Sequence, residues 1–187
     1  GAAAMSAYVE SRTVDNSQQN LDGMTFDGQA PGGGTPGSQV FVRYSRDNYV
    51  RWDYNPASSQ YLRFQDNYED TGQGEEYAPL IDRLNNEQIT ADNVVVIVAR
   101  HEFYQQPPNE IIEIYLSGSG TAYAFRDGKV YEVRWNRPTT NSVLFLTNPD
   151  GTPFPYRPGT TWYQVVGEST AITQPSANAW RFNWATP

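Results

Sequence analysis

Cysteine is absent from this chain, which removes thiolate nucleophiles, zinc–cysteine sites and disulfides together and leaves the redox compartment open. A run of about eighteen apolar residues is also missing, so no segment reads as a transmembrane helix. No charged, apolar and small-residue signal opens the chain either. Clustered positive charge is lacking, and without it counterions on a phosphate backbone are not displaced, which argues against nucleic acid as a partner. Histidine occurs once, at His101, so any histidine chemistry has a single candidate.

What the chain does have is rings. Tyr (13), Phe (8) and Trp (5) are plentiful beside an apolar fraction of 38%, and aromatic side chains carry large buried area in strands. The 187 residues suffice for one buried core. Net charge is -8, and most of it sits between Asp66 and Asp92, where eight acids face Arg83 alone. Twelve of the thirteen bases are Arg, often alternating with apolar residues, which suggests pairing on sheet faces.

The strongest local signals lie between Gly118 and Gly167. Asp127-Gly128, Pro149-Asp150-Gly151 and Pro158-Gly159 punctuate short aromatic and β-branched runs. Asp-Gly between alternating runs marks a hairpin, because both central residues of a type I′ turn need positive φ. A meander is expected, with strands near 121–126, 129–135, 143–147 and 161–166. Upstream, Val40, Val42 and Tyr44, then Val50, Trp52 and Tyr54, then Tyr61 and Arg63 each alternate with a second face and predict three more strands. Asn93 to Ala99 is continuously apolar after its first residue, which means burial on both faces and a central strand.

The expected fold is mainly β: a single domain of antiparallel meanders forming a sandwich or partly open barrel, with little helix. Residues 1–16 read as a cloning remnant followed by a short helix over 6–16 that depends on docking. Residues 17–38 form a Gly/Pro-rich linker or surface loop, pinned by Leu21, Met24 and Phe26. Residues 39–167 make the β-rich domain, interrupted by an acidic excursion at 66–92. Residues 168–187 are a Trp-containing tail: a last edge strand, or indoles tucked against the body or against a neighbouring copy, which would make a homo-oligomer.

No coherent catalytic set emerges. Ser119 lies in Gly118-Ser119-Gly120, but a nucleophile elbow needs glycines two residues either side of the serine and a following helix. His101 is expected to satisfy itself on a backbone carbonyl. Asp66, Glu69, Asp70, Glu75 and Glu76 fail the calcium-loop order, since Tyr68 and Thr71 stand at required positions; they read as a solvated acidic loop. Neither metal nor cofactor is called for. Rings and guanidinium groups remain, and a row of them on a sheet face can stack sugars or peptide side chains. The expected ligand-binding residues are Tyr123, Arg126, Arg134, Trp135 and Trp162.

Gly118-Ser-Gly120, Phe125-Arg126-Asp127-Gly128, Trp135, Asp150-Gly151 and Pro158-Gly159-Thr-Thr-Trp162 resemble the C-terminal part of the DUF3048 family, the YerB-like lipoproteins. Asn93 to Val96, Tyr44, Val50, Trp52, Tyr54, Tyr61 and Arg63 fit the same pattern, so the resemblance spans roughly residues 21–167. It implies an extracytoplasmic, cell-envelope protein, lipid-anchored in full length, with an N-terminal domain that this chain lacks. No catalytic residues come with the family. The reading is a non-enzymatic binding or assembly domain with a glycan or protein partner at the envelope. One alternative is a carbohydrate-active hydrolase of envelope glycan using Glu102 and Glu132; the other is a structural domain supporting the missing N-terminal part.

Overall fold

The computed structural model of the chain describes residues 2–12, 20–69 and 74–187. Its helix, α1, runs Ala2–Ser11. The strands that follow are β1 (Thr25–Phe26), β2 (Thr35–Pro36), β3 (Gln39–Ser45), β4 (Asn48–Asn55), β5 (Gln60–Asp66), β6 (Tyr77–Pro79), β7 (Thr90–Ala91) and β8 (Asn93–Gln105). Then come β9 (Ile111–Tyr115), β10 (Gly118–Arg126), β11 (Lys129–Arg137), β12 (Phe145–Thr147), β13 (Pro155–Tyr156), β14 (Thr161–Gly167), β15 (Ala171–Ser176) and β16 (Ala179–Asn183).

Two open sheets of seven strands carry the fold as a β sandwich. The central sheet runs β12-β11-β10-β8-β14, with β2 added to β11 and β9 to β8. The outer sheet runs β15-β16-β3-β4-β5-β6, with β7 on β5. Alternation explains the interface between them: Val40, Val42, Val50, Trp52 and Tyr61 face Val94, Val96, Phe125 and Val166. The opposite side of the central sheet carries Val95, Ile97, Ala122, Ala124 and Val133 under Leu146, Phe154 and Tyr156. Strand β8 is therefore sandwiched by two cores. Each fully buried Val or Ile contributes about 1.5–3 kcal/mol, which is why the unbroken Val94–Ile97 run lies at the centre.

The Asp127-Gly128 turn has φ of 53° and 72°, as the hairpin signal requires, and it sets the antiparallel register of β10 and β11 from Arg126↔Lys129 to Gly118↔Arg137. Not every neighbour pairs locally. β14 crosses to the far edge of β8 and lies parallel to it, Thr161↔Asn93 through Gly167↔Ala99. The 168–187 tail is a hairpin, β15–β16, whose second strand pairs in parallel with β3. Its Phe182 is fully buried, and the Trp180 indole donates to the Pro36 carbonyl at 3.1 Å. The tail thus docks within its own chain.

The 20–38 segment lies across the second core. β1 pairs with β13, Met24 packs against that core, and Phe26 rests on the Tyr156 ring with centroids 5.9 Å apart. Leu21 stays exposed. The acidic excursion folds back on the outer sheet through β6 and β7. There the Arg51 guanidinium stacks over Phe64 and Tyr77, and Arg181 over Phe41, the sheet-face role expected of the arginines. The helix falls on Ala2–Ser11, not on 6–16, because alanine has the highest helix propensity. Met5 and Tyr8 on it are exposed. The rest of the expected span, 13–16, the start of the loop at 17–19, and Asp70 to Gln73 lie outside the described residues.

Candidate functional site

The central sheet opens at one place. Tyr115 pairs with Arg100, and Ala122 pairs with Ile97, so Leu116 to Thr121 stand opposite only Val98 and Ala99. β10 keeps its pairing with β11 through this stretch and peels away from β8. A glycine inside a strand often marks such a departure or a close approach, and Gly120 supplies the approach. The Trp135 indole crosses over it to donate to the Val98 carbonyl at 2.9 Å. A Cβ on Gly120 would stand 2.5 Å from that indole nitrogen.

The opening is a cleft of about 510 Å³, within the range of small-molecule sites. Its walls are Arg100, Tyr115, Ser117, Ser119, Thr121, Arg134 and Glu168, above the buried Trp135. Arg134 Nη2 donates to Ser119 Oγ at 3.2 Å. Arg100 is bonded to Glu102 and lies over the Tyr115 ring, 5.4 Å from its centroid. Hydrogen bonding to Glu102, then to Glu113, pushes the Tyr115 phenol up to about 12, so it stays a neutral donor. The Glu102 carboxyl is held below its usual range by its bond to Arg100. The cleft offers one guanidinium tied only to a hydroxyl, three further hydroxyl groups, one carboxylate and two rings.

Of the five expected ligand-binding residues, Arg134 and Trp135 line this cleft. Tyr123 lies elsewhere: its ring packs against Trp180 and Phe182, and its exposed part lines a separate depression of about 320 Å³ with Glu132 and Asn148. Arg126 is fully buried and spent on structure. Its Nε donates to Asp127 at 2.8 Å, Nη1 to the Pro155 carbonyl at 2.9 Å and Nη2 to the Asp27 carbonyl at 3.0 Å. It ties the early loop to the sheet and offers no donor to a groove.

Trp162 belongs to a polar knot inside the sandwich. Its ring meets that of Trp52 with centroids 5.4 Å apart, and Arg63 lies against both, 4.8 and 5.0 Å from the centroids. Two orientations of the Gln164 amide are distinguishable by their partners. In the one that satisfies both ends, its oxygen accepts from Arg63 at 2.8 Å and from the two indoles at 3.2 Å, while its nitrogen donates to Tyr44 at 2.8 Å. Burial lowers Arg63 to about 10 and raises Tyr44 to about 12, leaving the first charged and the second neutral at pH 7.

The chemistry weighed from sequence resolves residue by residue. His101 Nδ1 is 2.9 Å from the Ala99 carbonyl and so donates to it, as expected; β8 simply continues past it. Ser119 meets Arg134 rather than a base. Glu102 and Glu132 do not form a glycosidase pair. Glu132 is level with Tyr123, which is level with Val96, six residues before Glu102 along β8. At about 3.3 Å per residue this is about 20 Å, against about 5–10 Å for paired catalytic carboxylates. Glu75 is occupied by Arg181, at 2.8 and 2.9 Å, and by Arg43 at 3.6 Å. Among the described residues no group of three or more His, Cys, Asp or Glu could hold a metal.

Sequence reasoning missed Arg100, Tyr115, Ser117, Thr121 and Glu168 as neighbours. The signal available was Gly118-Ser-Gly120, read there as a failed nucleophile elbow when it marks a strand departing from its partner.

Residues 40–163 match the family described as protein of unknown function (DUF3048) C-terminal domain. Among solved structures, the crystal structure of the YerB protein from Bacillus subtilis is similar, with TM-score 0.65 and 21% sequence identity over 89% of this chain and 51% of that one. The chain spans about half the length of that structure, and likeness at this identity is one of fold. A comparison with curated proteins finds no match. No helix among the described residues is long and apolar enough to cross a membrane.

Proposed function

Since this chain belongs to the DUF3048 family and is a YerB-like C-terminal domain of it, we propose that it works as a non-enzymatic binding module of a bacterial cell-envelope protein, with the cleft between β8 and β10 as its ligand seat. The observation that carries this is the opening itself. The ladder that β9 and β10 form along one edge of β8 parts around Arg134 and Ser119, and an indole holds the gap from behind. The groups present bind and orient; no nucleophile stands against a base. The envelope part of the reading follows from the family resemblance, and fractionation of cells producing the full-length protein tests it: recovery in the cytosolic fraction overturns it.

A screen of glycan and peptide arrays tests the cleft. Wild type is expected to retain a ligand that Ser117→Trp, a change at an exposed wall position, no longer holds. Equal retention by both proteins sinks the cleft, and hydrolytic turnover of an array member sinks the non-enzymatic reading.

A second reading, assembly with another domain, draws on the β8–β9 ribbon. Among the described residues it pairs beyond Arg100 only with itself, and Tyr104, Ile111, Ile114 and Tyr115 on it are exposed. Full-length protein in which Tyr104 and Ile111 are changed to Ser would lose domain-to-domain protection from proteolysis if the ribbon is the contact; unchanged protection would dismiss it.

A further inference from the structure

We infer that the cleft takes a carbohydrate unit carrying one carboxylate, with Arg134 as the anion-binding group; this rests on the cleft being the ligand seat. The chain is acidic, and its strand arginines are mostly consumed by carboxylates: Arg51 by Asp53, Arg100 by Glu102, Arg126 by Asp127, and Arg43 and Arg181 by Glu75. Arg134 differs. Among the described residues its bond is to the Ser119 hydroxyl, and no carboxylate lies within ion-pair distance. That hydroxyl steadies a guanidinium whose fork matches a carboxylate in two parallel hydrogen bonds.

The remaining walls choose the rest of the ligand. Ser117, Ser119 and Thr121 give neutral donors and acceptors suited to sugar hydroxyls, the Tyr115 oxygen, whose proton goes to Glu113, is left to accept, and the rings of Tyr115 and Trp135 give an apolar surface beside them. Glu168 accepts from a hydroxyl and also limits the charge admitted. A phosphate group, with ≈ -1.5 to -2 charge at pH 7, would meet one free guanidinium and one opposing carboxylate. A single carboxylate brings less charge against Glu168 and pairs with Arg134 one to one.

The test is calorimetric titration of the protein with trigalacturonate and with its methyl ester, which has the same skeleton without charge. Wild type is expected to bind the acid at least about tenfold more tightly than the ester, the scale of a hydrogen bond to a charged group. Arg134→Gln should remove that preference, bringing the affinity for the acid down to that for the ester in the same variant, and Arg134→Lys should keep part of it. Equal affinity for acid and ester, survival of the preference in Arg134→Gln, or no saturable binding of trigalacturonate to wild type overturns the inference. So does tighter binding of triglutamate than of trigalacturonate, which would make the partner an acidic peptide. Ser117→Trp separates the two levels: if it blocks a ligand found by the arrays while trigalacturonate fails, the ligand class is wrong and the cleft stands. If it blocks nothing, the cleft itself is wrong.

Discussion

The two halves of β8 are made by one continuous strand and have opposite fates. Asn93 to Ala99 lies between β10 and β14 and is largely buried on both faces, while Arg100 to Gln105, among the described residues, pairs only with β9 and is half-buried or exposed. The boundary is where β14 ends at Gly167↔Ala99 and where β10 parts from β8 while keeping its pairing with β11. An isolated two-stranded ribbon is marginally stable in water, so the outer half borrows its order from the inner half. A strand can thus be a structural axis at one end and a presenting arm at the other, and the candidate cleft sits at the change.

The largest expected contrast comes from one charge placed in each half. Val95→Asp buries an unpaired carboxylate between the sheet and its loop cover and should cost more than about 4 kcal/mol, enough to abolish the folded baseline in urea unfolding. Ile114→Asp, on the exposed ribbon, should stay within about 0.5 kcal/mol. Similar losses at both sites would erase the distinction. Amide exchange offers a finer reading of it, with protection expected through Ala99 and fast exchange beyond.

The boundary itself is probed next. Gly120→Val pushes a side chain into the Trp135 indole and should cost about 2–3 kcal/mol through overpacking; a neutral outcome would mean that the indole is free to move. Trp135→Phe keeps an aromatic side chain but deletes the donor and part of the ring system, leaving the Val98 carbonyl without its partner, for an expected loss of at least about 1–2 kcal/mol. If it costs nothing, water replaces the indole there and the cleft is wetter than its geometry suggests.

The smallest effect lies outside both halves, on the acidic excursion. The bond to Arg181 holds the Glu75 carboxyl below its ordinary value of 4.5. A depressed folded value means that stability is present above pH 4.5 and is lost as pH falls from there through the folded value. Because the pair is partly exposed, the increment should be under about 1 kcal/mol. Glu75→Gln is expected to flatten that acid limb in unfolding measured from pH 6 to pH 3; an unchanged slope would mean the contact with Arg181 adds nothing.

Much of the fold could be read in advance because its causes are local. The Val94 to Ala99 run announces a strand covered on both sides, and Asp127-Gly128 adopts the positive φ that its turn needs. The alternation at Val40, Val42, Val50, Trp52 and Tyr61 marks the inner face of the outer sheet. The candidate site was legible only at Arg134 and Trp135. Tyr123 and Trp162 carry the same kind of strand signal, yet packing consumes most of one and all of the polar end of the other. Arg126 looked available because it adjoins a surface turn, but its neighbour Asp127 and two distant segments, at Pro155 and Asp27, enclose it.

By itself, the amino-acid order determined the turns, the periodicity and the class of fold, since these depend on φ preferences and on which side of a pleat each residue falls. Which distant strands became neighbours was decided in three dimensions. β14 lies parallel to β8 and β16 parallel to β3 along edges that the hairpin partners of β8 and β3 leave open, and no short-range pattern encodes a vacant edge. The cleft belongs to that second kind of fact: its walls come from β8, β9, β10, β11 and the turn after β14, and their meeting is set by where pairing stops.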